Sequence, residues 1–576
     1  MNTQPIRFVH RGSLAQVDGL PVTTTVLQWL REHAHCSGTK EGCAEGDCGA
    51  CTVVVAELAH ASSKPGNGTS GETCANADAR VDSRAVQLGP LRLRPVNACI
   101  RYLPTLHGKA LLTVEDLQAL APGRALHPVQ QAMVDCHGSQ CGFCTPGFVM
   151  ALYASYERHQ QTGTRPSRQQ LADDLSGNLC RCTGYRPILD AGLAMFALPA
   201  ARLDPEPIAA LLRGIAADTP DPYIYAAPHP AFPDSEGRPR IDRFIAPRSL
   251  RAFASLRANA RGDSAPATAS APSRLKATPQ PPRRADAASG RRLTVLAGAT
   301  DIGLWTNKQF RDVGDLLFIG GVAELATIER AGDTLRIGAA VPLEDAWAAL
   351  VRTWPELREM ALRFAGPPVR HAGTLGGNVA NGSPIGDGAP VLLALDAVLL
   401  LQHGNATRRL PLAAFYLDYM KNALQPGEFL RAIELPLPTN ADEAQPLQLR
   451  AYKLSKRYDC DISALSCGVA LRLDAQQQVA HVRLAFGGMA AVVKRAASAE
   501  AALLGQPWNE ASVRAAMQAL DADFQPISDL RASSAHRQRV ARNLLWRFWL
   551  ETRADAPLSP AQTSVWAGLA PALRAV

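Results

Sequence analysis

The sequence predicts an α+β multidomain protein, on three observations. Its 576 residues are too many for one hydrophobic core. Eleven of its thirteen cysteines precede residue 183, which sets a cysteine-dense front third apart from a cysteine-poor remainder. A hairpin-and-helix pattern at the front gives way to helices, and after residue 290 strand-like runs alternate with helices. With 47% apolar and 19% charged residues the composition is that of a globular chain. A net charge of +8 is small for this length and not gathered into one basic block, so nucleic acid is not an expected partner. MNTQPIRFVHRGSLAQVDG has no apolar core of signal-peptide length, and no run of about 18 apolar residues follows anywhere, so no membrane span is expected. The expected compartment is the cytoplasm, where clustered cysteines more often bind metal or do redox chemistry than form disulfides.

IRFV and LAQV read as short strands joined by a Gly-containing hairpin. TTTVLQWLREH reads as a helix with a Thr N-cap. The polar, Gly/Ser/Asn-rich text from 60 to about 85 reads as an inserted loop, within an uncertain course over 58–90. Helical periodicity occupies segments near 113–120, 128–136, 146–160, 167–175 and 186–197; Thr145 is expected as an N-cap with Pro146 at N1, and Ser167 as another cap. The Pro-rich stretch 199–240 reads as a surface linker and 258–292 as a mobile insert. LTVLAG, LLFIGG, LRIGAA, AVLLLQ and EFLRAIELPLP read as strands of a mixed region to about 440. SCGVALRL, VRLAFGG and a final amphipathic helix make up an extension over 449–555. The domains expected are 1–108, 109–198, 241–440 and 449–555.

Cys43, Cys48 and Cys51 give C-x4-C-x2-C inside EGCAEGDCGACTV. Small and Gly residues there let backbone amides turn inward, as a loop around a 2Fe–2S cluster requires, and this spacing with a distant fourth cysteine is the plant-type ferredoxin pattern. A zinc site more often uses paired CxxC knuckles. The fourth ligand is a choice between Cys74, in the polar insert, and Cys99, in VNACIRYL. Apolar neighbours hold Cys99 rigidly, so Cys99 is chosen; Cys74 and Cys36 are read as non-ligand thiols. A second set is Cys141 and Cys144 in SQCGFCTPGFVM with Cys180 and Cys182 in NLCRCTGYRP. Four thiolates suit zinc as well as 2Fe–2S, although a neighbouring ferredoxin-like loop favours iron, since one cluster needs an electron partner. Cys136 is read as a packing cysteine.

GTKEGCAEGDCGACTV, VNACIRYLPTLHGK, GSQCGFCTPGFVM and NLCRCTGYRPI resemble the iron–sulfur modules of the molybdenum hydroxylases, the xanthine dehydrogenase and aldehyde oxidase family. The resemblance implies a β-grasp 2Fe–2S ferredoxin domain ligating through Cys43, Cys48, Cys51 and Cys99. It also implies a four-helix 2Fe–2S domain ligating through Cys141, Cys144, Cys180 and Cys182. It places Gln140 against a molybdopterin.

LTVLAGATDIGL (293–304) is a strand, a Gly turn and a helix start, where backbone N–H groups meet a phosphate; GTLGGNVANGSPIGD (373–387) is a second Gly/Asn-rich loop. Two such loops favour a dinucleotide, and Asp387 could accept from a ribose hydroxyl. These motifs, with AYKLSKRYDCDIS and FGGMAAVVKRA, resemble the same family's mixed α/β FAD-binding domain, in two subdomains, and its α+β C-terminal extension. By that resemblance Val295, Leu296, Ala297, Gly298, Ala299, Thr300, Asp301 and Ile302 hold the pyrophosphate, and Phe364 stacks on the flavin. Thr374, Leu375, Gly376, Gly377 and Asn378 form the second loop. Asp387 meets the adenosine half, and Leu430 and Lys453 are further FAD contacts.

The combination resembles the small iron–sulfur/FAD subunit of bacterial xanthine dehydrogenases. The expectation is a chain that takes electrons from purine hydroxylation at a molybdopterin on a partner large subunit and passes them through two 2Fe–2S clusters to FAD and then NAD+, in a heterotetramer of two small and two large subunits. No acid, base or nucleophile for purine oxidation is expected here. The competing expectations are the same role in an aldehyde or other N-heterocycle hydroxylase, and a stand-alone iron–sulfur flavoprotein.

Overall fold

The computed structural model describes residues 3–59, 85–121, 123, 126–234, 236–259, 292–438 and 445–563. Cys74 and most of the stretches 58–90 and 258–292 lie outside them. Six strands, β1 (Ile6–His10), β2 (Ser13–Val17), β3 (Thr52–Leu58), β4 (Val86–Leu88), β5 (Leu91–Asn97) and β6 (Ala110–Leu112), form a sheet in the order β2-β1-β6-β3-β5-β4. The expected hairpin pairs Ile6 with Val17. Its turn residues Arg11 and Gly12 both have positive φ, the geometry that matches strand twist in a two-residue loop. Thr25 caps the following helix in a reciprocal capping box with Gln28, and Trp29–His33 continue it as a π-helical turn.

The strand β3, TVVVAEL, lacks the polar alternation of a one-sided strand, and both its faces are covered. Val54 and Ala56 pack with Phe148, Leu152 and Tyr156 of the helical region, while Val53 and Val55 pack with Leu27, Tyr225 and Leu296. Full burial of each such valine contributes about 1.5–3 kcal/mol, and the front sheet is sandwiched between the helices and the region that begins at Tyr223.

The helices Pro128–Asp135, Thr145–Thr162, Arg168–Asp174 and Arg186–Ala194 carry the second cysteine set at their ends. Ser167 caps as expected, with Gln170 completing the box. The helix after the CxxC starts one residue earlier than expected: Cys144 is its N-cap, Thr145 is the first helical residue, and the Thr145 hydroxyl donates to Ser139 Oγ at 2.7 Å instead of capping. The linker reading of 199–240 is corrected. Asp204 caps a helix over Pro205–Asp218 that buries Ile208, Leu212 and Ile215, and a strand follows at Tyr223–Pro233. Prolines at the first turn of a helix, where no backbone donor is missed, look like linker text in a sequence.

That strand, β7 (Tyr223–Pro233), joins β8 (Pro239–Ala246), β9 (Leu293–Leu296) and β10 (Asp315–Phe318) in the order β7-β8-β10-β9, with β9 and β10 parallel. A five-stranded sheet takes β11 (Ile328–Ala331), β12 (Thr334–Gly338), β13 (Val398–His403), β14 (Ala406–Pro411) and β17 (Phe429–Pro436); β15 (Tyr416–Asp418) and β16 (Lys421–Asn422) form a separate hairpin. The last sheet, β18 (Gln448–Leu454), β19 (Leu465–Leu473), β20 (Val479–Gly487) and β21 (Lys494–Arg495), packs under the helix Ser534–Thr552. No described helix is long and apolar enough to cross a membrane.

Candidate functional site

The first cysteine set converges as its spacing demands. Cys43, Cys48 and Cys51 lie on the loop entering β3, and Cys99 follows β5, its hydrogen-bonded neighbour in the sheet. Cys43 is hydrogen-bonded to Cys48 and Cys99 through the side chains, and Cys51 to Cys99. These contacts depress the Cys43 thiol and, together with burial, raise Cys48 and Cys99. The Cys48 N–H also donates to Cys43 Sγ at 3.4 Å, and Asn97 Nδ2 lies 3.9 Å from Cys51 Sγ. Gly42 lies against the set: a Cβ there would stand 2.9 Å from Cys48 Sγ.

In the second set Cys144 touches Cys180 and Cys141 touches Cys182. Burial and the Cys180 contact push the Cys144 thiol up to about 12. Burial also works against the Cys180 thiolate, but hydrogen bonds from Thr183 outweigh it and the net shift is downward. Among the described residues no three His, Cys, Asp or Glu side chains gather tightly enough to hold a single metal ion. The thiols of each set contact one another, in the run Cys48–Cys43–Cys99–Cys51 in the first set and as Cys144–Cys180 and Cys141–Cys182 in the second. Four thiolates in each set, two for each of two irons, fit a 2Fe–2S cluster. Cys36 and Cys136 stand apart; Cys36 Sγ faces His10 Nε2 at 3.5 Å inside the core.

The two Gly-rich loops meet along one cleft of about 310 Å³. Val295, Ala297, Gly298, Ala299, Thr300, Asp301, Ile302, Thr374, Gly376, Gly377, Asn378 and Leu430 all line it, as does Trp305. A Cβ on Gly298 would lie 1.8 Å from the Ala372 carbonyl oxygen, so the loops touch as bare backbone. Thr374 Oγ1 accepts from the Gly377 N–H at 2.9 Å, and Asn381 Nδ2 donates to Asp301 Oδ1 at 3.1 Å across the loops. A cleft of this size, with backbone donors at two Gly-rich turns, fits a phosphate-bearing dinucleotide. Leu296 and Leu375 do not line it; both are buried in the core beneath and bring only their backbones.

Asp387 and Lys453 form a separate buried pair, Nζ to Oδ2 at 2.5 Å, with the Ser463 hydroxyl donating to Oδ1 at 2.6 Å. Phe364 packs against Trp347, ring centroids 5.4 Å apart, and its Cε2 lies 3.9 Å from where a Cβ on Gly388 would stand. Gln140 is exposed beside exposed Cys141 and Phe143.

Three connections escaped the sequence. The Leu179 N–H donates to the Cys48 carbonyl at 3.0 Å, which ties the two cysteine sets together. Asn307 Nδ2 donates to the Cys99 carbonyl at 2.8 Å and to that of Ala44 at 3.2 Å, so the helix after the first Gly loop holds the first cysteine set. The Tyr102 hydroxyl donates to the Ile302 carbonyl at 3.1 Å at the same contact.

Three families match the chain: a 2Fe-2S binding domain over residues 113–193, the FAD binding domain in molybdopterin dehydrogenase over 284–438, and the CO dehydrogenase flavoprotein C-terminal domain over 450–552. Xanthine dehydrogenase of Emericella nidulans is 29% identical across 94% of this chain, and aldehyde oxidase 4 of Cavia porcellus 28% identical across 93%. The chain spans 38% of the length of each. A solved carbon monoxide dehydrogenase chain from Hydrogenophaga pseudoflava is 26% identical with a TM-score of 0.45, over 54% of this chain and 96% of that one. The chain carries the 2Fe–2S- and FAD-binding electron-transfer domains of molybdenum hydroxylases.

Proposed function

We propose that this chain is the electron-transfer part of a xanthine dehydrogenase, conveying electrons from hydroxylation of hypoxanthine or xanthine at a molybdopterin on a partner subunit to NAD+. The observation that carries the reading is the continuity of the sites: the second cysteine set meets the first at Leu179 and Cys48, and the first meets the flavin-type cleft at Cys99 and Asn307. When bound, the two clusters supply one-electron steps and the flavin pairs electrons for hydride release; the protein sets distances and surroundings. Cys43, Cys48, Cys51 and Cys99 would hold one 2Fe–2S cluster, and Cys141, Cys144, Cys180 and Cys182 the other. The loop at 295–302 would hold the FAD pyrophosphate, with the loop at 374–378 and Leu430 as further FAD contacts. Phe364 would stack on its ring system, Asp387 would meet its adenosine half, and Lys453, paired with Asp387, would be a further FAD contact. Gln140, at the exposed end of the second set, would face the molybdopterin, and the exposed Phe143 beside it offers apolar surface for the large subunit of a paired heterotetramer.

Co-purification of the native complex tests this. The expected product contains flavin, iron, acid-labile sulfide and a molybdenum-bearing chain, shows two distinct 2Fe–2S paramagnetic resonance signals on reduction, and oxidises xanthine with NAD+. Zinc without iron in the second set would overturn the cluster assignment, and recovery with no molybdenum chain would overturn the partner. The likeness to aldehyde oxidase 4 supports a second reading, aldehyde oxidation, which the same assay decides by substrate.

A further inference from the structure

Four glycines from four segments meet where the two cysteine sets adjoin. A Cβ on Gly49, between Cys48 and Cys51, would lie 2.2 Å from the Gly177 carbonyl oxygen. One on Gly147, at the start of the helix after Cys144, would lie 2.1 Å from the Gly49 carbonyl oxygen. One on Gly177, just before Cys180, would meet Pro368 Cδ at 2.5 Å, and one on Gly366, just after Phe364, would meet Gly177 Cα at 2.4 Å. Gly49 has φ +71°, so a turn requires glycine there, but Gly147, Gly177 and Gly366 have no positive φ. What remains to explain those three is close approach of backbone to backbone.

The close approach has a product. With no side chains between them, Asn178 Nδ2 donates to the Gly49 carbonyl at 2.9 Å and the Leu179 N–H reaches the Cys48 carbonyl at 3.0 Å. Cys180 and Cys48, one from each thiolate set, are thereby joined through main-chain bonds and a single hydrogen bond. Gly366 brings the segment carrying Phe364 to the same point.

We infer that Gly147, Gly177 and Gly366 are positioning residues that fix the length of an electron bridge running from Cys180 through the Leu179 N–H to the Cys48 carbonyl. The inference rests on the assignment of a 2Fe–2S cluster to each set. The step is a single electron transfer: the set at Cys180 is oxidised by one electron, the set at Cys48 is reduced by it, no bond breaks and no proton moves. A side chain at Gly147 presses on the Gly49 carbonyl, and one at Gly177 or Gly366 presses the loop before Cys180 against Pro368 and Gly366, so each displaces one end of the bridge.

The test compares the full-length native protein with Gly177→Ala, Gly366→Ala and the control Gly214→Ala, whose Cβ would meet nothing within 4 Å. Each is measured for iron, flavin and, after dithionite reduction, low-temperature spin–spin splitting between the two cluster signals, and flavin reduction is followed by stopped flow with xanthine added to the native complex, so that electrons enter through the set at Cys180. Gly177→Ala and Gly366→Ala are expected to keep iron and flavin, lose the splitting and reduce flavin more slowly, whereas Gly214→Ala behaves as native. Native splitting and native rate in either bridge variant with full cofactor content would overturn the inference. Absence of two 2Fe–2S signals in the native protein would overturn the cluster assignment, and the bridge with it. Where an alanine prevents folding, Asn178→Ala carries the test, since it removes the clamp on Gly49 without adding volume: weakened splitting supports the bridge, and native splitting defeats it.

Discussion

Cys99 is 3% exposed, with its thiol against Cys43 and Cys51 and its carbonyl held by Asn307. Apolar neighbours were reason enough to prefer it over Cys74 from the sequence, and it does stand with the other three. Cys99→Ser is therefore expected to abolish one 2Fe–2S signal and leave the other, while Cys36→Ser, buried against His10, leaves both. Paramagnetic resonance of the two reduced variants checks this, and two intact signals in Cys99→Ser would remove Cys99 from the ligand set. Spacing made the four cysteines legible as one set because a cluster-binding loop constrains residue type and local turn together. Asn307 was not legible: an asparagine at the end of a helix is ordinary text, and its partner is 208 positions away.

Among the elements, the two Gly-rich loops were readable as phosphate-type turns, but not the way they touch. Gly298 packs on the Ala372 carbonyl, so Gly298→Ala must move one loop off the other. The expected outcome is protein with normal iron and both 2Fe–2S signals but little or no bound flavin, read as the flavin-to-iron ratio. Undiminished flavin in that variant would show that the cleft is not the cradle. The Pro-rich stretch 199–240 was misread at this scale. Prolines at the first turn of the helix Pro205–Asp218 and within β7 satisfy the chain at places where a missing N–H is tolerated, and composition does not distinguish such places from a linker.

Taken whole, the molecule joins its parts through buried charge and neutral histidines. Arg92 and Arg94 of β5 reach Asp345 at 3.0 and 2.7 Å, across the contact between the front sheet and the flavin-type region. Glu57 beneath them is held well below the usual carboxylate range: burial opposes its charge, but Lys109 and Arg94 more than offset that. Burial also pushes His127 and His159 down to about 4, and His107 and His371 to about 3. Each folded-state value lies below the unfolded value of about 6.5, so the unfolded chain binds the extra protons. Their contribution is complete above pH about 6.5 and is lost as pH falls toward 4 and then 3, at up to about 1.4 kcal/mol per pH unit for each histidine. Glu57 acts in the same direction at lower pH. Urea unfolding followed at pH 7.5 and pH 5 is expected to show a lower midpoint at pH 5; an unchanged or higher midpoint would contradict neutral burial of these rings.

By itself the sequence determined the two thiolate sets, the two Gly-rich loops and the alternation of sheet and helix, because ligand chemistry, turn conformation and hydrophobic period are local properties written in residue type and spacing. Only the tertiary structure decided that Leu179 meets Cys48, that Asn307 meets Cys99, and that Gly147, Gly177 and Gly366 close on one another. Those contacts join segments far apart in the chain, and they depend on where a side chain is absent, which becomes visible only when the backbones have been packed together.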